Sequence, residues 1–477
     1  MKNDIGFFGP VGWGAWNLSR RGVTVEPGDT LIATSEVSFS SWAIDILAET
    51  ISADPGLRRW LAPRRVSFVG IDGGDVRPPG RPAQPVEPAQ ALVLPLRDGT
   101  RQPAVIAAET GLALSDVFDT LAGMAQRRWL VWKLDVPVGA HPDHELRAIL
   151  ERVGDAGVRD RALGPLAVLE AGKARVRAAV GDAAALVDAL IALEADFVEL
   201  TESAAQRAKG ARTSANRALV YSDSRRTASA TIGSAILDEL APLAMFLTAA
   251  RWMTNRFARA ARERIGTAYR ELAADQSTVD LASLWMRCVP VPHPRSTEDI
   301  DRITDELRLR WQRIIDAPDG ARRVRLSAAD IADAVRAAFD EPGDGWNIAR
   351  YVSPVVFVVA DDAAAVERGD FELVVGELHL AMNTVHASLF VLQHPDPAEL
   401  LDETDRDFPG RRMMPMLPRE QLPRWNTRSR PALVRARDYL VGMVDYTAAD
   451  QHRPRTLPAA DVVVEDRDGV WQWSSIA

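Results

Sequence analysis

The sequence contains a single cysteine, Cys288, and lacks any long hydrophobic run. One cysteine cannot build a disulfide framework or a cysteine-based zinc site, so we expect a reducing, cytoplasmic location. The most apolar helical stretch, Leu240–Ala250, is much shorter than the ~20 residues that cross a bilayer, which predicts no membrane span. The sequences typical of P-loops, zincins and α/β-hydrolases are also missing, so we exclude those three classes of enzyme.

The composition is that of a folded protein with more than one core. The chain has 477 residues, of which 47% are hydrophobic and 26% are charged, values close to the globular average. The net charge of −9 argues against general nucleic-acid binding. Glu377, His379 and His386 lie near one another in the sequence, but structural histidines are commoner than metal ligands, so we predict no metal site.

Positive charge is nevertheless concentrated in three segments. Residues 203–230, 251–270 and 411–437 carry net charges of +5, +5 and +7, almost entirely from arginine. The planar guanidinium can bind two phosphate oxygens at once, which favours a nucleic-acid contact. The same segments are also typical of solvated helix faces in an arginine-rich protein, and both interpretations stay open.

The alternation of strand and helix patterns predicts an α+β fold with mixed sheets, helical insertions and a winged helix-turn-helix subdomain. Within that subdomain, Gly111 is the predicted turn between two helices, and strands precede and follow them. The predicted elements are strands at Val66–Ile71 and Ala91–Leu96, helices at Pro103–Thr110 and Ser115–Arg127, and a strand at Trp129–Val136.

A second notable pattern comes later in the chain. A long helical stretch, Pro165–Glu202, precedes a short strand predicted to end at Tyr221. Asp223, Arg225 and Arg226 follow that strand directly. A carboxylate and two guanidinium groups at a strand end can orient an ester or a phosphate, or form a plain ion pair. The last third is predicted to be rich in strands, including one at Leu389–Leu392.

Four segments carry a resemblance to a known family. They are Lys2–Trp13 (KNDIGFFGPVGW), Leu219–Arg226 (LVYSDSRR), Gly376–Thr384 with the sequence GELH followed by MNT, and Gln393–Pro397 (QHPDP). Together they resemble the lantibiotic dehydratases of actinobacteria, in the family's order and spacing, over almost the whole chain.

That resemblance implies an enzyme that transfers glutamate from glutamyl-tRNA to Ser or Thr hydroxyls of a ribosomally made precursor peptide in lanthipeptide-like biosynthesis. Glutamyl-tRNA is then a co-substrate, and no resident cofactor is expected. The motif matches give the candidate catalytic residues, and the basic segments give the candidate tRNA contacts. The catalytic candidates are Lys2, Asn3, Asp4, Asp223, Arg225 and Arg226; the tRNA-binding candidates are Arg251, Arg256, Arg259, Arg424, Arg428 and Arg430.

The resemblance also divides the chain. Residues 65–138 would be the leader-peptide recognition element, with a peptide added as a strand and its apolar side chains seated on Val117 and Leu121. The glutamylation domain would then comprise an N-terminal part (1–64), a largely helical part (139–350) and a β-rich part (351–477).

Family members usually have a segment before the GFFG region and an elimination domain further on, so we expect an incomplete member. A separate elimination protein and a second copy of the chain are further expected partners. Two other interpretations remain: a non-catalytic remnant that binds a precursor peptide, and a winged-helix transcription regulator.

Overall fold

The computed structural model describes residues 9–72, 74–137, 139–206, 217–275, 278–288, 298–343, 345–381, 384–416, 433–443, 447–449, 452–467 and 470–475. Helices dominate, and the strands form small sheets, of which some are mixed and some purely parallel or antiparallel. The predicted α+β class is therefore confirmed. In this described part of the chain, no helix is both long and apolar enough to cross a membrane.

The elements are numbered in chain order. The strands are β1 (Gly14–Trp16), β2 (Val23–Glu26), β3 (Ile32–Phe39), β4 (Arg64–Arg65), β5 (Gly70–Asp72), β6 (Asp75–Arg77), β7 (Gln84–Pro85), β8 (Leu130–Val131), β9 (Val220–Arg226), β10 (Ser229–Ile232), β11 (Val279–Asp280), β12 (Val352–Val359), β13 (Glu372–Leu380), β14 (Met413–Met416), β15 (Tyr439–Gly442), β16 (Thr456–Pro458), β17 (Val462–Arg467) and β18 (Val470–Ser475). The helices are α1 (Ser41–Ile51), α2 (Pro88–Val93), α3 (Pro103–Thr110), α4 (Leu114–Gln126), α5 (Pro142–Glu151), α6 (Ala156–Ala179), α7 (Ala183–Thr201), α8 (Ser234–Glu239), α9 (Leu243–Asp275), α10 (Leu281–Cys288), α11 (Glu298–Ile315), α12 (Ala328–Phe339), α13 (Ala363–Arg368), α14 (Ser388–Val391) and α15 (Pro397–Asp407).

The largest core joins β3, β9 and helices α1, α4, α5, α6 and α7. Phe39, Trp129 and Phe197 are among its largest fully buried side chains. A second core forms where Trp252 of α9 packs edge-on against Phe339 of α12. The first core contains residues from the predicted parts 1–64, 65–138 and 139–350, so the boundaries between these parts do not separate independent cores and stay predictions.

Helices α6 and α7 correct the single helix predicted over Pro165–Glu202. The chain breaks between them, and the Asp182 carboxylate caps α7 by accepting hydrogen bonds from the amides of Ala184 and Ala185. The two helices then pack closely, because a Cβ on Gly172 would lie 2.6 Å from Cδ1 of Leu193. Only glycine allows this approach.

The segment around residues 65–138 folds as the antiparallel sheet β5-β6-β7 followed by three helices, α2, α3 and α4. Gly111 forms the predicted turn and ends α3 in the left-handed conformation, with φ of 74°. The strand predicted at Ala91–Leu96 is wrong, because Glu87 and Gln90 form a capping box and Pro88 begins helix α2.

The flanking predictions in this segment need further correction. Helix α4 begins at Leu114 with Ala113 as its N-cap, one residue before the predicted start at Ser115. The strand predicted at Trp129–Val136 is limited to Leu130–Val131, which is β8. The strand predicted at Val66–Ile71 starts only at Gly70, the first residue of β5.

The last third contains a long antiparallel hairpin, β12 and β13, with an irregular register between Val355 and Val356. Its distal half exposes an apolar surface that comprises Phe357, Val358, Val359, Val374 and Val375. The strand predicted at Leu389–Leu392 is wrong, because α14 occupies that stretch as one short helical turn. Apolar runs this short do not distinguish helix from strand.

Candidate active site

The motif that contains Asp223 lies inside strand β9, which pairs antiparallel with β3. The strand continues to Arg226 instead of ending at Tyr221, so the motif is part of the strand. Because side chains alternate along a strand, Asp223 and Arg225 share one face and Arg226 lies on the other. The structure therefore brings together two of the three predicted residues in this motif.

The register between the two strands adds a residue that the motif did not indicate. Glu36 of β3 is the Cα partner of Asp223, and Thr34 is the partner of Arg225. Asp223 is only 7% exposed, whereas the side chain of Glu36 is 56% exposed. This face of the ladder thus combines two carboxylates and one guanidinium, and it extends from the protein interior to solvent.

The opposite face of the ladder carries serine hydroxyl groups, of which those of Ser222 and Ser224 belong to buried residues. The Oγ atoms of Ser35 and Ser222 are 2.9 Å apart, and the hydroxyl of Ser224 donates to Oγ of Ser35 over 3.1 Å.

On the outer edge of β9, the amide of Val11 donates to the carbonyl of Ser224, and the amide of Arg226 donates to the carbonyl of Val11. These bonds hold β9 between β3 and the N-terminal segment.

A series of titratable groups begins at Glu36 and leads away from the ladder. Nε2 of His141 lies 3.6 Å from Oε1 of Glu36, and the His141 ring stacks on His144 with centroids 5.1 Å apart. Nε2 of His144 lies 3.9 Å from Oδ2 of Asp143, which also accepts a hydrogen bond from Lys173. Asp143 is fully buried. Sequence analysis did not identify Glu36, His141 or His144 as site residues. The only local signal was Pro142, which marks the start of a helix beside His141.

The arginines predicted to bind tRNA on α9 have carboxylate partners. Arg251 pairs with Asp340, Arg256 with Glu306 and Arg259 with Glu341, at 3.7, 3.3 and 3.1 Å. These acids belong to α11 or follow α12 and offset the positive charge counted along α9. The side chains of Arg251 and Arg259 remain 42% and 52% exposed.

The remaining predicted tRNA contacts, Arg424, Arg428 and Arg430, and the predicted catalytic residues Lys2, Asn3 and Asp4 lie outside the described residues. A buried ionic cluster nevertheless lies close in sequence to the three arginines. The carboxylate of Asp438 accepts hydrogen bonds from Nη2 of Arg412 at 2.6 Å and from the amide of Arg435 at 2.9 Å. Burial opposes ionisation, but these hydrogen bonds lower the pKa of Asp438 to about 2.

Val117 and Leu121, the predicted peptide seat, are fully buried in the largest core. Their side chains support α4 from inside, so they do not line an open groove. Peptide contacts in this segment would fall to accessible groups such as Ile71 on β5, which is 39% exposed. In the described ranges, no group of three or more His, Cys, Asp and Glu side chains is placed to hold a metal ion.

The family comparison matches the description "Lantibiotic dehydratase, N terminus" over residues 4–475. The chain belongs to this family. No curated protein matches the sequence of this lantibiotic dehydratase family member.

Solved structures show the same fold. The glutamylation domain of TbtB, from thiomuracin biosynthesis, is 14% identical with a TM-score of 0.57, covering 97% of this chain and 57% of that one. The tRNA-dependent lantibiotic dehydratase MibB from Microbispora sp. 107891 is 12% identical with a TM-score of 0.56, covering 96% and 45%. The TbtB domain bound to 5'-phosphodesmethylglutamycin is 14% identical with a TM-score of 0.54, covering 95% and 55%. The chain thus spans about half the length of these proteins.

Proposed function

We propose that this chain is the glutamylation portion of a lantibiotic dehydratase, which transfers a glutamyl group from glutamyl-tRNA to Ser or Thr of a precursor peptide. The observation that carries the proposal is the family match over residues 4–475. The likeness of nearly the whole fold to the TbtB glutamylation domain supports it.

The transfer needs a proton acceptor and a cation. The peptide hydroxyl oxygen attacks the carbonyl carbon of the glutamyl ester and loses its proton. The ester C–O bond then breaks, and the departing ribose oxygen takes up a proton. Negative charge on the carbonyl oxygen in the transition state is stabilised by a fixed cation.

The face of β3 and β9 that carries Glu36, Asp223 and Arg225 offers these groups. We assign proton transfer to the carboxylate of Asp223 and stabilisation of the carbonyl oxygen to the Arg225 guanidinium. Glu36, the register partner of Asp223, lies at the solvent side, where it can contact the incoming hydroxyl. Arg226 lies on the opposite face, so we assign it no direct part in the reaction.

Substrate binding is proposed for two further surfaces. Arg251 and Arg259 keep enough exposure to contact tRNA phosphates. The small sheet β5-β6-β7 has open edges in the described part, and an extended leader peptide could add a strand there.

The test combines a binding measurement and a reaction. Calorimetry measures whether the chain binds 5'-phosphodesmethylglutamycin, the compound bound to the TbtB domain. The chain is then incubated with precursor peptide, tRNA, glutamyl-tRNA synthetase, glutamate and ATP, and peptide masses are read. We expect a glutamyl adduct that requires tRNA, forms about 100-fold more slowly in Asp223→Asn and forms normally in Asp305→Asn, a control at an exposed ion pair. A folded chain that binds the peptide and forms no adduct would contradict the proposal.

A further inference from the structure

Arg97 is a buried arginine whose Nε makes no hydrogen bond, and it lies outside strands β3 and β9. It follows the end of α2 and is only 8% exposed. Its Nε atom is completely buried and makes no hydrogen bond. Within the described ranges, its side chain makes no hydrogen bond, whereas its carbonyl accepts a hydrogen bond from the Arg65 amide.

The neighbouring ion pair relieves this charge only in part, because the charge of Asp461 favours ionised Arg97 whereas that of Arg65 opposes it. The guanidinium of Arg65 donates to both oxygens of Asp461, each over 2.7 Å, and also to the carbonyl of Val69. Asp461 is therefore already engaged by Arg65. The local group of two arginines and one aspartate therefore keeps a net charge of +1.

A buried guanidinium without an acceptor is expensive, because desolvation is not offset by hydrogen bonds. Burial and, to a smaller extent, the nearby charge of Arg65 lower the pKa of Arg97 to about 9, although the charge of Asp461 acts in the opposite direction. Most buried polar groups in native proteins are paired, so an unpaired one requires an explanation such as a ligand.

We propose that Arg97 is the anchor of an oxyanion site, which takes a phosphate or carboxylate group of a ligand. The planar fork of the guanidinium accommodates two oxygens of either group. Arg65 and Asp461 link the segment around β4 to the start of β17, so the anion would be held at the junction of these two parts. This site is independent of the proposed glutamyl transfer.

The experiment measures anion binding to the full chain by calorimetry. Inorganic phosphate and acetate are titrated separately, with sodium chloride at matched ionic strength as the reference. We expect saturable binding of at least one anion, and the anion that binds identifies the ligand group. In Arg97→Met, which preserves length without charge, we expect affinity to fall by about tenfold or more. Arg81→Met, at an exposed arginine of the same segment, should leave binding unchanged.

Two further measurements keep the proposal falsifiable if one variant folds poorly. Asp461→Asn frees Arg65 to join the site and should strengthen anion binding. Thermal melting without added anion should show Arg97→Met to be at least as stable as the wild type, since it removes an unpaired buried charge. The proposal is overturned if neither anion binds beyond the chloride reference, or if binding is the same in wild type and a folded Arg97→Met variant.

Discussion

Glu36 and Asp223 are Cα partners across the β3–β9 ladder, so two carboxylates from distant parts of the chain lie side by side on one face. Directly opposed residues have Cβ atoms roughly 5 Å apart. Arg225 lies two residues along β9 from Asp223 and diagonally across from Glu36, on the same face. This arrangement gives the proposed reaction its proton acceptor and its cation.

Replacement of Asp223 by Asn keeps shape and removes the proton acceptor. General acid–base groups contribute about 100-fold or more to rate, so we expect glutamylation to fall by about that factor. Timed mass spectrometry of the peptide measures the rate. Unchanged activity in Asp223→Asn, with the Asp305→Asn control also active, would show that this carboxylate does not transfer the proton.

Glu36→Gln tests whether the two carboxylates act as a unit. Groups that share one step lose less in combination than the product of the single losses. We therefore expect the double variant Glu36→Gln/Asp223→Asn to be about as slow as Asp223→Asn alone. A fully multiplicative loss would indicate independent roles.

The ion pair of Arg259 with Glu341 predicts opposite effects on tRNA binding. Arg259→Gln removes one phosphate contact and should reduce the salt dependence by roughly 0.7 to 0.9 per contact. Glu341→Gln releases Arg259 from its partner and should strengthen binding. Gel shifts over a salt series provide both values, and equal binding by the two variants would count against a tRNA contact at α9.

Leu121→Ala should destabilise the protein, because the side chain is fully buried in the largest core. Leu-to-Ala changes in cores cost about 2–5 kcal/mol. Leu92→Ala, at a position of α2 that is 50% exposed, is the matched control and should change the unfolding free energy by less than about 0.5 kcal/mol. Chemical denaturation compares them. Equal stability of the two variants would mean that Leu121 is accessible after all, as a peptide seat would require.

The buried carboxylate of Asp438 predicts a specific acid sensitivity. Its folded pKa of about 2 lies below the ordinary value of 3.8, so its ionised form stabilises the fold fully above pH 3.8. The contribution, about 2 kcal/mol, is lost as pH falls from there through about 2. Unfolding measured across this range should show a smaller pH dependence in Asp438→Asn, while Asp333→Asn, at an exposed pair, should follow the wild type.

Local chemistry made part of this fold predictable. The helix predicted at Pro103–Thr110 is present as α3, and the positive φ required after it explains Gly111. The predictions at Ala91–Leu96 and Leu389–Leu392 failed because short apolar runs fit either helix or strand, and capping by Glu87 decided the first case.

The site was less accessible to sequence reasoning, because it depends on contacts between distant segments. Asp223 and Arg225 were found through their motif, whereas Glu36 became visible only through the β3–β9 register. The charge counted along α9 was similarly incomplete, since the acids that pair with Arg251, Arg256 and Arg259 lie on later parts of the chain. Lys2, Asn3, Asp4, Arg424, Arg428 and Arg430 stay predictions.

The exposed apolar surface of the β12–β13 hairpin has a consequence for the behaviour of the purified protein. Surfaces of this kind favour self-association. However, growth along a strand edge requires unbroken backbone donors, and Pro354 in β12 has none, while the register irregularity after Val355 further disturbs that edge. At the β12 side, association at high concentration should therefore occur face to face and not by the addition of further strands.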